Sequence, residues 1–217
     1  MQVSSRSLVW YVAYGSNMRM SRFRCYLAGG CPAGGRRTYI GARDPADPLA
    51  AAPVAIAGQV MFAGESTVWG GGMAFYDPDA PGSVACRAYL ITADQLNDVI
   101  AQEIRLPPGT DLGLHAVMNG GQRALGHGRY DSAIHVGVRA GRPMLTITSN
   151  TRDLTPTAPA AAYVWSIARG LHEAHGWEPA RISSYLTVLP GISGQWTAAE
   201  VEALSVQGQP QTQAPRR

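Results

Sequence analysis

Not one lysine occurs in this sequence, so all 18 basic side chains are arginine. They are scattered rather than gathered into a stripe, and against 15 acidic residues they leave a formal net charge of only +3. So small and dispersed a charge gives no footing for a nucleic-acid partner. Charged residues make up only 15% of the chain against 46% hydrophobic ones, which excludes a disordered composition and fits a packed one. Cysteine is scarce too. Cys25, Cys31 and Cys86 are odd in number and lack C-x-x-C spacing, so they read as reduced thiols, not a disulfide framework or zinc ribbon. No apolar run reaches the ~18 residues that a bilayer crossing needs. The short run after Arg6 ends at Tyr14, without the pattern of a signal peptide. A soluble, cytoplasmic protein with no membrane partner is the expectation.

Several common catalytic signatures are missing as well. There is no G-x-S-x-G elbow, no P-loop and no G-x-G-x-x-G. Gly70-Gly71-Gly72 leads into a strand pattern, whereas a phosphate cradle needs a helix after it. His172-Glu173-Ala174-His175 lacks the H-E-x-x-H spacing that puts two imidazoles one turn apart with a glutamate between them. His115, His127 and His135 have no paired carboxylate or thiol at ligand spacing. The usual hydrolase, kinase and dehydrogenase readings fail, and no metal site is expected.

What is present reads as one domain over residues 1–206, with a tail, 207–217, that has no core-forming residues and is expected to be disordered. A strand pattern runs from Leu8 to Tyr14, breaks at Gly15-Ser16-Asn17, and gives way to an amphipathic helix over Arg19–Leu27. Residues 29–53 read as loop. An apolar run from Val54 to Ala63 reads as one strand bent at Gly58. The triple glycine before Met73–Tyr76 marks a place where another backbone or a ligand comes close. After a turn at Asp77–Gly82, a strand over Val84–Ile91 leads to Thr92, which with Asp94 starts a helix over Ala93–Ile104. Pro107 and Pro108 end that helix. The polar, glycine-rich stretch that follows, with 107–127 as its body, reads as a lid or loop. A hairpin turning at Ala140-Gly141-Arg142 joins Ala133–Val138 to Pro143–Ile147. A Pro- and Thr-rich connector then precedes a helix carrying Val164, Ile167 and Leu171, and a shorter one from Pro179 to about Val188. In all, about six strands and four helices are expected.

Two positions could carry chemistry. In Tyr14-Gly15-Ser16-Asn17-Met18, the glycine permits unusual backbone angles, and the amides after it could receive a carboxylate or an oxyanion. On local grammar the same residues also make an ordinary capped turn. Glu103 falls in the last turn of its helix, near the apolar stripe of Leu96, Val99 and Ile100 and at the negative end of the helix dipole, where a carboxylate is unexpected. An exposed last-turn glutamate is the plainer alternative.

Together these features resemble the gamma-glutamylcyclotransferase-like proteins, whose signature is a Y-G-S-N loop after the first strand and one glutamate at the end of a later helix. The resemblance extends over roughly Val9–Leu189 and includes the Trp69–Gly72 strand entry. It also takes in Gly128-Arg129-Tyr130 ahead of a strand, and Tyr163 at the start of the late helix. It implies an α+β fold, a mixed β-barrel with surrounding helices. It implies Glu103 as the catalytic residue, and Tyr14, Gly15, Ser16, Asn17, Met18, Tyr130 and Tyr163 as substrate-binding residues. The implied reaction is a cofactor-free, metal-independent cyclisation. The alpha-amine of a gamma-glutamyl group attacks its own gamma-carbonyl, releasing an amine or peptide and 5-oxoproline. The expected partner is a small-molecule gamma-glutamyl substrate, and a homodimer is left open. Related alternatives are acyl transfer or deprotection on a specialised metabolite, or a non-catalytic small-molecule binder. The sequence departs from the family in Gln102-Glu103-Ile104, where an acidic residue and a glycine are common, and in the 107–127 segment, which reads as an insertion over the site.

Overall fold

The computed structural model describes residues 7–33, 35–126, 128–150 and 154–208. His127 and most of the expected tail, 209–217, lie outside the described residues.

The chain winds about β1 (Leu8–Ala13), whose run of apolar residues is explained by cover on both faces: five of its six residues are buried. On one side β1 pairs antiparallel with β5 (Ser83–Thr92), Leu8 opposite Thr92 and Ala13 opposite Arg87. On the other it pairs parallel with β8 (Arg142–Thr148), Trp10 opposite Met144. β2 (Ala50–Ala57) lies outside β5, and β7 (Ser132–Arg139) and β6 (Gln122–Ala124) lie outside β8, all antiparallel. The order is therefore β2-β5-β1-β8-β7-β6. β3 (Gln59–Ala63) and β4 (Met73–Asp77) form a separate antiparallel pair that packs against β5 and β8, the two neighbours of β1. The expected α+β fold is observed, with a mainly antiparallel sheet.

The strand expected over Val54–Ala63 is two strands in two sheets. Gly58 separates them at φ +115, and a side chain there would meet the Asp77 carbonyl oxygen at 2.4 Å, so the chain turns sharply where a bulge was expected. The triple glycine behaves as its composition suggests. A Cβ on Gly72 would sit 2.1 Å from the Thr157 oxygen, so the connector before the late helix passes directly over it.

β5 enters α2 (Ala93–Glu103) without a loop. Thr92 ends the strand and caps the helix through a reciprocal bond pair with Gln95. Because Thr92 lies opposite Leu8, at the start of β1, α2 must run back across β1 and β5 toward the far end of β1. Eleven residues at about 1.5 Å each cover ~16 Å, close to the length of β1. The last residue of α2, Glu103, is thereby delivered to the loop that leaves β1.

The segment expected as a lid is built into the body of the protein. It contains α3 (His115–Met118) and β6, and it buries Leu112, Leu114, Val117 and Leu125. Its first turn is fastened to α2, where the Asp98 carboxylate accepts the Gly109 amide at 2.7 Å and Asn97 bonds Thr110 and Leu112. Regular apolar spacing is too short there to show in the sequence.

Three late helices complete the layer: α4 (Ala161–His175), closed by Gly176 in the left-handed conformation, α5 (Pro179–Leu186) and α6 (Ala198–Val206). α6 was not anticipated, although the Thr197/Glu200 capping box signals its start and Val201 and Leu204 are buried.

Candidate active site

At the end of β1 the chain forms a short 3-10 turn, Ser16–Met18, before α1 (Met20–Ala28). Gly15 has φ −110 and ψ −147, outside the left-handed region that calls for glycine although ψ runs past the usual extended range. Space is the clearer reason. A Cβ on Gly15 would lie 3.0 Å from the Tyr163 hydroxyl.

A recess of ≈ 40 Å³ opens beside this turn, lined by Tyr11, Tyr14, Gly15, Ser16, Asn17, Glu103, Tyr130, Ile147 and Tyr163. The loop from β1 and the end of α2 thus face one enclosure. Asn17 ties them together: its Nδ2 donates to Glu103 Oε1 at 3.2 Å and to the Tyr11 hydroxyl at 3.1 Å. The Met18 amide is spent inside the turn on the Gly15 carbonyl, at 3.0 Å. The amides of Gly15, Ser16 and Asn17 have no acceptor among the described residues.

Met18, expected to bind substrate, is instead a core residue with no exposed surface. The turn points it inward beneath α4, where a Cβ on Gly170 would come within 2.7 Å of the Met18 Cβ. Its carbonyl accepts from the Tyr89 hydroxyl and from Arg87.

The three expected tyrosines all reach the recess. Tyr14 donates to the Ile147 carbonyl at 2.7 Å and Tyr130 to the Ala74 carbonyl at 2.9 Å. The Tyr163 hydroxyl accepts the Ala74 amide at 3.3 Å. Burial, with the Glu103 carboxylate among the smaller causes, pushes the Tyr163 phenol up to about 12 and those of Tyr11, Tyr14, Tyr26 and Tyr130 upward as well. All five stay neutral across the physiological range and can act as hydrogen-bond donors.

Ser16, Glu103, Tyr130 and Tyr163 also line a wider cleft of ≈ 450 Å³, so recess and cleft adjoin. The cleft is completed by Arg22, Arg37, Tyr39, Trp69, Arg105 and Arg129, among others. Arg22 is 4% exposed and donates to the hydroxyls of Tyr26 and Tyr39 at 2.9 and 2.7 Å. Its Nε and Nη1 are buried with no hydrogen-bond partner among the described residues, and its charge sits over the faces of the Tyr26 and Tyr39 rings. Sequence reading passed over Arg22. Its signal was an arginine on the buried side of α1, one turn before Tyr26. At the end of α4, His172 and His175 each turn a ring nitrogen to a backbone carbonyl, those of Trp177 and Cys86.

The fold is shared with solved proteins. A gamma-glutamyl cyclotransferase superposes with a TM-score of 0.52 at 15% identity, covering 93% of this chain and 100% of that one. An uncharacterized human protein superposes with a TM-score of 0.50 at 17% identity, covering 93% and 99%. At such identities the likeness defines a gamma-glutamyl-cyclotransferase-like fold and nothing finer. In sequence, the chain is 32% identical over 185 residues to histone deacetylase 5 of Arabidopsis thaliana, a match covering 76% of this chain but 28% of that protein. The chain therefore corresponds to little more than a quarter of that relative's length. No protein-family model matches the chain. Among the described residues no helix is long and apolar enough to cross a membrane.

Proposed function

We propose that the protein is a gamma-glutamyl cyclotransferase, acting without a cofactor on a gamma-glutamyl amine or peptide. The observation that carries this reading is the shared recess. One carboxylate, that of Glu103, shares a recess of ≈ 40 Å³, continuous with the larger cleft, with a turn whose first three amides have no acceptor among the described residues.

In the reaction the substrate's alpha-nitrogen attacks its own gamma-carbonyl carbon. The new carbon–nitrogen bond closes a five-membered lactam as the bond to the departing amine breaks. Nucleophile and electrophile share one short chain, so correct folding of that chain can supply an effective molarity on the order of 10⁵ M or more. Glu103 takes one proton from the alpha-ammonium to free the nucleophile and passes it to the leaving nitrogen; the second proton, shed as the lactam forms, follows the same route, so the amine leaves as an ammonium and no net proton is consumed. The amides of Gly15, Ser16 and Asn17 receive the alpha-carboxylate or the oxygen that gains charge as the tetrahedral centre forms, roughly 3 kcal/mol for each well-placed donor. Asn17 holds Glu103 toward the recess, and Tyr130 and Tyr163 hydrogen-bond the glutamyl head group, Tyr163 as a donor and Tyr130 as an acceptor because its proton is given to the Ala74 carbonyl.

The test is incubation of purified protein with a panel of gamma-glutamyl amines and dipeptides, followed by mass spectrometry for 5-oxoproline. Stoichiometric 5-oxoproline and free amine are expected, with loss of at least about 10³-fold in kcat for Glu103→Gln. Undiminished activity in that variant would refute the assigned role. Histone deacetylase 5 of Arabidopsis thaliana is matched over only 28% of its length, so its activity adds no argument for the chemistry here.

A further inference from the structure

Four arginines face the outer cleft, Arg22, Arg37, Arg105 and Arg129, whereas its lining holds a single carboxylate, Glu103 at the recess mouth. None of the four lies within ion-pair distance of a carboxylate among the described residues. Elsewhere Arg24, Arg43 and Arg87 do have such partners. Four arginines from separate stretches of the chain thus converge on one opening.

Each of the three outer arginines is anchored without being neutralised. Arg37 donates one hydrogen bond to the Gln102 carbonyl, at 3.0 Å, with its guanidinium over the Tyr39 ring. Arg105 donates to Thr67 Oγ1 at 2.8 Å. Arg129 donates to the Glu65 carbonyl and approaches the Met73 sulfur. A guanidinium has five N–H groups, so these anchors fix direction while leaving donors available. Arg22 lies beneath them between the phenols of Tyr26 and Tyr39, and the Glu103 carboxylate acts on its charge without forming an ion pair. Arg105 sits two residues after Glu103 at φ +66, where it closes α2: its amide and that of Leu106 bond back to the carbonyls of Gln102 and Ala101, a helix-ending turn that fixes where its side chain leaves the backbone.

We propose that the leaving amine of the substrate carries anionic groups, gripped at the outer cleft by Arg37, Arg105 and Arg129 and attracted by the charge of Arg22 below. The inference rests on the cyclotransferase reading of the recess, since it assigns the recess to the glutamyl end and the cleft to what departs. A cleft of ≈ 450 Å³ suits a group of amino-acid or dipeptide size. The anion is a carboxylate or a phosphate, either of which accepts from a guanidinium fork.

Three substrates separate the possibilities: gamma-glutamyl-aspartate, gamma-glutamyl-asparaginamide, in which both aspartyl carboxylates are replaced by amides, and gamma-glutamyl-phosphoethanolamine. Either anionic compound should exceed the diamide by about tenfold or more in kcat/KM, and the stronger of the two identifies the anion. The advantage should shrink as ionic strength rises from about 0.05 to 0.5 M. Arg105→Gln combined with Arg129→Gln should cut the ratio several-fold, mainly through KM. Equal kcat/KM for charged and neutral compounds, or a ratio untouched by the double variant, overturns the assignment. Titration calorimetry of the intact protein with the same three compounds is run alongside. If none is cyclised, the recess reading fails, while calorimetry still judges the cleft: tighter binding of the anions supports it and equal affinity overturns it.

Discussion

Replacing Gly15 with alanine distinguishes a glycine kept for its backbone from one kept for its emptiness. The φ of −110 at Gly15 is open to alanine and ψ −147 runs a little past the extended range, so the backbone penalty is small. The added methyl meets the Tyr163 hydroxyl at 3.0 Å and the Ala74 Cβ at 3.7 Å. Tyr163 can give little ground, because its ring stacks on Trp69 and its oxygen accepts the Ala74 amide. That tight contact opposes the roughly 0.4–1 kcal/mol by which Gly→Ala commonly stabilises through the unfolded chain. The two nearly cancel, and Tm should stay within about 3 °C of the parent. Catalysis has no such cancellation, because the methyl enters a recess of ≈ 40 Å³ beside Glu103. Displacing the glutamyl group by about 1 Å should cost on the order of 10²-fold in kcat/KM. The assay is 5-oxoproline release over a range of substrate concentrations, with a melting curve on the same preparation. Combining Gly15→Ala with Tyr163→Phe removes the oxygen the methyl meets, so the pair should cost less than the sum of its members. Near-parental activity would show that the space is not used by substrate. A fall in Tm of 10 °C or so would show that glycine is there for the backbone after all.

Other substitutions probe the frame. Asp98→Asn should cost about 1.5–3 kcal/mol at pH 7, measured by urea unfolding, because the carboxylate accepts from the Arg43 amide, its guanidinium and the Gly109 amide. Burial pushes Asp98 up, but those bonds outweigh it and hold it below its usual range. Its stabilisation is therefore present above the unfolded value near 3.9 and is lost as pH falls through the lower folded value, so the difference between variant and parent should shrink below about pH 4. Met18→Leu should leave kcat/KM within about twofold, whereas Met18→Ala should lose about 2–5 kcal/mol of stability as a core truncation. A Met18→Leu protein of normal Tm and hundredfold lower activity would restore Met18 to the binding site. Arg105→Gly should raise stability by about 1 kcal/mol, since relief of left-handed strain exceeds the entropy cost of glycine, and should weaken the preference for anionic substrates.

Much of this arrangement could be read from the chain because its signals are local. The strand ending at Ala13, the capped start of α2 at Thr92, and the left-handed turn at Ala140-Gly141 each depend on a few adjacent residues. Glu103 was conspicuous because a carboxylate at the C-terminal end of an apolar stripe has little local reason to be there. What escaped was set by distant partners. Gly58 separates two strands where the Asp77 carbonyl leaves no room for a side chain, and Met18 is buried against Gly170 of α4, in each case a partner that does not adjoin it in sequence. Likewise, Arg22, Arg37, Arg105 and Arg129 come from four stretches of chain, and their scatter in sequence concealed their convergence in space.

The junction at Thr92 makes α2 a fixed spacer between sheet and carboxylate. With no loop to absorb a change in length, one residue inserted between Thr92 and Glu103 would swing the carboxylate by about 100° and advance it by about 1.5 Å. Two insertions would carry it to nearly the opposite side of the helix. Four would bring the angle back within about 40° but overshoot the recess by ~6 Å. The stretch from Thr92 to Glu103 can therefore vary freely in spelling at its exposed positions but not in count, and a working homologue should keep the same number of residues between its cap and its glutamate.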